Sequence, residues 1–518
     1  MPQKSLEGIK VLDFTIVIAG TFITRMLANH GADVLKIESR SHPEIFRQFG
    51  PFKDDYPEPF NPWNNRGGSF GIWNVGKRSI ALNLADPRGI EIAKRLVSWA
   101  DIVVENFAGG VLKRMGLGYE ELVKIKPDII MLSSCMQGQT GPHSKHPGFG
   151  TQLVNLVGLS TITGWPDREP ASVGAYTDII APRFSVMAIL AAVDYRRRTG
   201  KGQYIDLSQY EAGVPLLSPL ILDNVVNKRV ASRVGNQSEY AAPHNAYPCR
   251  DRHTDRWCAI GVYTEEEWRS FCKILGDPPW TKDDRFNTLR ARRENEEELD
   301  RRIEEWTINL HPDDVVRRLQ LADDPVPVKR LYTGRELQEY EWDVKHRSPY
   351  TVPHNVYRCQ WEDRWCVIAV YTDEEWHSFC KVIGNPQWTT DSRFNTFEGR
   401  KENEEELDRL IATWTVNRTP EEVMNLMQTA GIPAGIVATG EDLIEHDLQL
   451  KHRHAYHELA HPEIGVYHGV APSYEFSKCQ AEVERAPLMG EHNESVLKEL
   501  LGMSDEEIKE LIREQIVE

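Results

Sequence analysis

The 518-residue chain has no long hydrophobic run, no closely spaced cysteine pair and no excess of positive charge. No stretch reaches about 18 uncharged apolar residues, which excludes a membrane-spanning helix. The apolar opening Lys10-Val11-Leu12-Asp13-Phe14 is broken by a charge where a signal peptide needs its apolar core. The mature chain is therefore expected to start near Met1 and to stay in the cytoplasm. Lys plus Arg number 61 against 78 Asp plus Glu, a formal charge of −17. Such a surface repels phosphate backbones wherever basic residues are not concentrated, and nucleic acid is excluded as a partner on that ground. None of the eight cysteines forms a Cys-x-x-Cys pair, and no metal is called for. No Gly-x-Gly-x-x-Gly follows the first apolar run and there is no Gly-Lys-Ser/Thr loop, so neither a nicotinamide nor a nucleoside-triphosphate site is supported.

What the chain does have is length and repetition. Apolar residues make up 40% and charged residues 27%, enough hydrophobe for several cores, and the length suggests three or four domain-sized units. Pro243-His244-Asn245 returns as Pro353-His354-Asn355, and Asp255-Arg256-Trp257-Cys258 returns as Asp363-Arg364-Trp365-Cys366. Arg285-Phe286-Asn287-Thr288 matches Arg393-Phe394-Asn395-Thr396, Thr333-Gly334 matches Thr439-Gly440, and Lys345-His346-Arg347 matches Lys451-His452-Arg453. A unit spanning 240–349 is copied in tandem as 350–456, two copies where a solenoid needs three or more. Cys249, Cys258 and Cys272 recur as Cys359, Cys366 and Cys380, which points to duplicated buried thiols rather than to a disulfide framework.

Each copy reads as α+β. Trp257 to Tyr263 has the look of a buried strand, and Thr264-Glu265-Glu266-Glu267-Trp268 reads as an N-cap with an acidic first turn opening a helix. Trp257, Trp268, Trp280 and Trp306 all recur in copy two and are read as core packing. The acidic runs Glu294–Asp300 and Glu402–Asp408 alternate with leucine at helical spacing and read as solvated helix faces.

Residues 1–228 behave differently. The short apolar runs Val11–Phe14, Ala32–Ile37, Ile102–Val104 and Ile129–Leu132 are separated by segments of helical period such as Pro87–Ala100. Alternation of strand and helix predicts a parallel sheet covered on both faces, a Rossmann-type α/β domain.

Several segments in this half resemble the class III CoA-transferases, the group that includes formyl-CoA transferase, carnitine CoA-transferase and α-methylacyl-CoA racemase. They are Gly8–Phe14 with Ala19-Gly20, Leu27–Glu38, Gly76–Leu84, Val104-Glu105-Asn106-Phe107 with Lys113–Gly116, Gly138-Gln139-Thr140-Gly141-Pro142, Ile189–Ala192 and Arg198–Gln203. Ala486–Asn493 closes the match near the other end of the chain. The resemblance implies a large Rossmann-like, CoA-binding domain built from 1–228 and a return segment 457–518, with a small domain between them, here present as two α+β copies. Copy two keeps Ala430-Gly431-Ile432-Pro433-Ala434-Gly435, similar to the family's usual sequence, where copy one has Ala322-Asp323-Asp324-Pro325-Val326-Pro327. Copy two is therefore expected to be the ancestral partner of the return segment. The resemblance also implies an interlocked homodimer, with a hetero-oligomer containing a homologous subunit as the alternative.

A desolvated carboxylate can attack a thioester to give a mixed anhydride and free thiolate. Asp178, between the Gly174-Ala175 loop and the apolar helix Val186–Tyr195, has the setting for such a nucleophile; read from the residues alone it serves more readily as a helix N-cap. The resemblance assigns it the first role, as the aspartate that becomes the acyl anhydride and then the aspartyl-CoA thioester. It also places Thr15, Ile16, Val17, Ala19, Asn106 and Phe107 against CoA and matches Arg114 to the adenine end. In an acidic chain the phosphates of CoA need local cations, for which Lys77 and Arg78, otherwise a solvated surface pair, are the further candidates. Arg40 follows Lys36-Ile37-Glu38 one residue later than the family's arginine, with Ser39 between.

The implied reaction moves CoA from an acyl-CoA, succinyl-CoA being one candidate donor, to a free carboxylic acid, with no permanently bound cofactor. The alternatives are an acyl-CoA racemase of the same fold and a non-catalytic subunit. Phe149 stands where the racemases carry a histidine base, and Gly150 where transferases carry an acidic residue. His143 and His146 are nearby candidates for a base. The segment Val234–Glu239 has one glycine where the oxalate-handling members carry a run of four, which disfavours formyl-CoA:oxalate transfer.

Overall fold

The structure, a computed structural model, describes residues 4–52, 65–250, 257–320, 325–331, 351–479 and 481–518. Asp255, Arg256, Ala322–Asp324, Thr333, Gly334 and Lys345–Arg347 lie outside the described residues. The chain divides into two units, residues 1–233 with 444–518, and residues 234–443. The first unit thus draws on both chain ends, and its second segment begins at residue 444, ahead of the expected 457.

The first unit is α/β. Its strands are β1 (Lys10–Asp13), β2 (Asp33–Glu38), β3 (Lys77–Ala81), β4 (Ile102–Glu105), β5 (Ile130–Cys135) and β6 (Tyr204–Ser208). They form one parallel sheet in the order β3-β2-β1-β4-β5-β6. This is the doubly wound order, in which the chain reverses direction across the sheet between β1 and β4.

Successive residues along each strand feed opposite faces. Val11, Val34, Val104 and Ile130 pack with Ile23 and Leu27 of α1 (Val17–Asn29) and with Ile189 and Val193 of a long later helix, Thr177–Thr199. Leu12, Leu35, Val103 and Met131 pack on the other face against Ile92 and Leu96 of α2 (Pro87–Trp99) and against Val496 and Ile508 near the chain end. Burial on both faces explains why the strands read as continuous apolar runs. Asp86 caps α2 by accepting the Arg88 N–H at 2.9 Å, and Pro87 begins the helix where its missing N–H costs nothing.

β3 and β6 were not foreseen as strands. β3 opens on two cations, and β6 is an edge strand with alternate residues exposed, so neither shows an apolar run.

The second unit contains two three-stranded antiparallel sheets. β7 (His244–Pro248), β8 (Trp257–Gly261) and β9 (Val328–Leu331) form one; β10 (His354–Arg358), β11 (Trp365–Ala369) and β12 (Ala434–Ile436) form the other. Each sheet has its own apolar core, one around Phe271, Phe286 and Ile303, the other around Phe379, Phe394 and Ile411. Polar anchors recur as well. Asn245 donates to Asp300 at 2.8 Å as Asn355 does to Asp408, and the hydroxyls of Tyr247 and Tyr357 donate to the same two aspartates. Buried Arg292 lies 4.6 Å over the Trp268 ring and pairs with Glu265; buried Arg400 lies 4.8 Å over Trp376 and pairs with Asp373. Thr264 opens the helix Glu265–Ile274 with a capping box, as its sequence predicts.

All eight cysteines are free thiols, seven of them buried. No helix among the described residues is long and apolar enough to cross a membrane.

Candidate active site

In doubly wound sheets ligands bind outside the carboxyl ends of the strands where the strand order reverses. Here that point lies between β1 and β4, and the loops leaving the two strands are clamped to each other. Asn106 Oδ1 accepts the Ile16 N–H at 2.8 Å, and Asn106 Nδ2 donates to the Ile16 carbonyl at 2.8 Å. Gly20 permits this approach, since a Cβ there would lie 2.4 Å from Asn106 Oδ1. Val17 adopts φ +58°, a region costly for a β-branched residue, with its N–H donated to buried Glu44 at 2.9 Å.

Beside the clamp opens a cavity of about 220 Å³ lined by Ile16, Val17, Ala19, Asn106, Phe107 and Asp178. Sites that enclose a whole drug-sized ligand measure about 300–1,000 Å³, so this one takes the reacting end of a longer substrate.

Asp178 sits in the first turn of α5 (Thr177–Thr199), the helix that begins nine residues before the expected Val186. Helices α3 (Val111–Arg114) and α4 (Gly150–Val157) precede it in the chain. Asp178 does not cap α5: the N-cap position is Tyr176, with no side-chain cap. Asp178 is 8% exposed, and burial pushes its carboxyl up to about 6. Among the described residues no hydrogen bond to its carboxylate is formed. The group is ionised for the most part at neutral pH and stripped of most of its water, which suits nucleophilic attack.

Phe149 stands 63% exposed at the start of α4, and Phe149, Gly150 and His146 line the same cavity. The His143 and His146 rings lie with centroids 4.6 Å apart, tilted by 43°.

The proposed cations fare unequally. Lys77 is buried, 3.0 Å from Asp13, and donates to the Thr21 carbonyl and Asn74 Oδ1. Burial pulls its ammonium down to about 8 against the opposing attraction of Asp13. Its positive charge is consumed inside the fold, a correction to its reading as a phosphate ligand. Arg78 is corrected as well. It pairs with Asp33 at 2.7 Å and lies over Trp99, at the amino ends of β2 and β3, away from the cavity. Arg114 is exposed at the end of α3, five residues from cavity-lining Gly109 and three from cavity-lining Val111, with a 3.5 Å bond from Nη1 to the Gly109 carbonyl. Arg40 donates its backbone N–H to Glu518, which ties it to the chain end. Thr15 is fully buried, its hydroxyl donating to Asp13 at 2.6 Å and its carbonyl accepting Lys36 Nζ at 2.6 Å, so it braces the β1 loop from beneath.

Cys135, Met136, Ser144 and Gln209 also line the cavity and were not anticipated. They come from the ends of β5 and β6 and an irregular loop, where no periodic pattern marks a position as inward-facing.

The sequence model of CoA-transferase family III matches residues 6–342 and, again, residues 329–493. A succinyl-CoA–D-citramalate CoA-transferase of Chloroflexus aurantiacus is 33% identical over 337 residues, 65% of this chain and 80% of that protein. The mouse succinyl-CoA:glutarate CoA-transferase is 36% identical over 298 residues, 57% of this chain and 65% of that enzyme. A solved CaiB/BaiF family protein from Brucella suis shares the fold, with a TM-score of 0.55 at 24% identity, covering 96% of this chain and all of that one. With the family matched along almost its whole length, the chain belongs to CoA-transferase family III and is an enzyme of that family.

Proposed function

We propose that the protein transfers CoA from a succinyl-CoA-like donor to a small free carboxylic acid through covalent chemistry at Asp178. The observation that carries this reading is the buried, unbridged Asp178 carboxylate opening into the cavity at the β1/β4 switch point. In the first step an Asp178 oxygen attacks the acyl carbon. The new C–O bond forms as the C–S bond breaks, and CoA leaves as thiolate. That thiolate then attacks the Asp178 carbonyl carbon, releasing the donor acid as a carboxylate and leaving an aspartyl-CoA thioester. The acceptor carboxylate repeats the two steps in reverse order, so no net proton is taken up or lost. The succinyl-CoA-dependent relatives support a dicarboxylic donor. The acceptor is a small acid of the same class.

The proposed working form is a homodimer. Its support is apolar surface on the first unit: α5 leaves Phe184, Met187 and Leu190 exposed, and the helix Ser218–Asn227 leaves Leu222, Val225 and Val226 exposed. The two sheets of the second unit represent one ancestral small domain duplicated in tandem, with copy two the original partner of the return segment; the recurring anchors on Asp300 and Asp408 support this.

The test is mass spectrometry of the intact protein after mixing with a panel of acyl-CoAs, with and without hydroxylamine. A CoA-sized or acyl-sized adduct on wild type that hydroxylamine removes, absent from Asp178→Ala, supports the mechanism. An adduct retained in Asp178→Ala overturns it.

A further inference from the structure

Two blocks of the sequence that the chemistry above does not use, Val104-Glu105-Asn106-Phe107 and Gly138-Gln139-Thr140-Gly141-Pro142, meet beneath the cavity wall. Glu105 ends β4 and is 2% exposed. One of its oxygens, Oε2, accepts the Phe107 N–H at 2.7 Å; the other, Oε1, accepts Gln139 Nε2 at 3.2 Å. Gln139 carries the link onward, its Oε1 accepting the Gly110 N–H at 2.8 Å. Its own N–H is held by both oxygens of Asp206, at 2.9 and 3.1 Å. The loop that supplies Phe107, Ala108 and Gly109 to the cavity is therefore fastened at both ends by one carboxylate–amide pair.

The polarity of this chain of bonds is fixed. Phe107 and Gly110 both offer N–H groups, so the Glu105–Gln139 pair must present an acceptor at each outer end and a single proton between its members. A carboxylate facing an amide meets that requirement. Two amides do not, because whichever way they turn, two donors face each other at one of the three contacts.

We infer that Glu105 is a positioning residue for CoA-ester binding, holding the 106–110 loop in its cavity-lining shape through Phe107 on one side and Gln139 on the other. This inference rests on the CoA-transfer reading above. Burial, with Asp206 adding to it, pushes the Glu105 carboxyl up to about 7. The titratable groups facing it are Asp206 and Tyr204 from β6 and Cys135 from β5; the Ser133 hydroxyl also bonds to it. A protonated Glu105 oxygen that turns its O–H toward Ser133 is a weaker acceptor than a carboxylate oxygen, so one of the two loop anchors weakens as pH falls through about 7.

The experiment measures CoA binding by calorimetry in the full-length protein at pH 6 and pH 8, with adduct formation at saturating acyl-CoA alongside. At pH 8, Glu105→Gln should raise the Kd for CoA about tenfold, the effect of leaving a buried donor facing a donor. Adduct formation at saturation should stay within about threefold. The exchange Glu105→Gln with Gln139→Glu restores an acceptor at both ends and one proton between, and should return the Kd to within about threefold of wild type. In an Asp178→Asn background, which silences the cavity's other titrating carboxyl, the protein should bind more weakly at pH 6 than at pH 8, and adding Glu105→Gln should abolish that difference.

If Glu105→Gln does not fold, half-buried Gln139→Met, which removes the Gly110 link and the amide bond to Glu105 but leaves Glu105 on the Phe107 N–H, should raise the Kd by a similar factor. Unchanged CoA affinity in the soluble single variants, or an exchange variant no better than Glu105→Gln, would overturn the inference while leaving the transferase reading intact. Wild type that binds no CoA would overturn both.

Discussion

Gly150 and Asp178 are in steric register: a Cβ built on Gly150 would lie 2.4 Å from Asp178 Oδ1 and 2.6 Å from its Cγ. The absence of a side chain at the first residue of α4 is what allows the Asp178 carboxylate to occupy its present position. An acidic side chain at this place, which the resemblance leads one to expect, could not coexist with it in this arrangement. Gly150→Ala should therefore displace the carboxylate rather than unfold the helix, since alanine is the better helix former. A displacement on the order of 1 Å at a reacting group costs about 100-fold in rate. Adduct formation should fall by that factor while CoA affinity changes less than about twofold. An alanine variant that reacts at the wild-type rate would show that Asp178 reacts from a different position.

The raised pKa of Asp178 has two consequences of opposite sign. Only the carboxylate attacks, so adduct formation should climb through pH 6 and level off near pH 7, standing at about a tenth of its plateau at pH 5. Stability runs the other way. The folded group holds its proton up to about 6 against an ordinary value of 3.8, so the folded state binds more protons in that window and stability falls as pH rises through it. Asp178→Asn, which cannot ionise, should melt roughly 2–4 °C above wild type at pH 8 and level with it near pH 4. Equal melting temperatures at pH 8 would mean that the carboxylate is solvated in the free enzyme.

Of the cations proposed from the sequence, Arg114 alone stands exposed beside the cavity loop with no carboxylate partner among the described residues. Arg114→Ala should raise KM for acyl-CoA several-fold, with a deficit that shrinks as salt is added, because an exposed charge–charge contact is screened. With esters of 3′-dephospho-CoA the same substitution should cost much less. Arg78→Ala is the matched control, since its guanidinium is committed to Asp33 at the opposite end of the strands. Equal KM shifts in the two variants would remove Arg114 from the phosphate site.

The parallel sheet was legible because its strands are buried on both faces, so Val34-Leu35 and Val103-Val104 read as unbroken apolar pairs. The duplication was legible because whole tetrapeptides recur in order. The interior arginines were not: Arg292 and Arg400 lie just ahead of the acidic runs that read as solvated helix, and the Trp268 and Trp376 rings they cover are distant in sequence. Lys77 fails for the same reason. A lysine beside an arginine after a glycine reads as a surface pair, and Asp13, which draws it into the core, lies far away in sequence. Asp178 was singled out by its match to a family motif, but the cavity it lines is built from loops far apart in sequence, and the clamp of Asn106 on Ile16 has no local signature.

The duplicated unit gives the last prediction. Both copies are entered in the same way: Val262 donates to the Pro243 carbonyl at 2.9 Å and Ala242 donates to Val262 at 3.1 Å, while Val370 donates to Pro353 at 2.9 Å and Val352 to Val370 at 3.1 Å. Residues Ala242 and Val352 are thus equivalent entry points, and each leads into a sheet with its own closed apolar core. Excising residues 242–351, so that Ala241 runs directly into Val352, removes one complete core and leaves the other whole, which is the condition for an independent folding unit to be dispensable. The product should remain soluble and dimeric by size-exclusion chromatography. Its CoA affinity should lie within about threefold of the parent, because the cavity is lined only by residues up to Gln209 in the first unit. The complementary excision of copy two removes Ala430–Gly435 and the sheet that precedes the return segment, and should give insoluble protein. Should the first deletion aggregate while the second folds, copy one is the ancestral small domain and the order of the duplication is reversed.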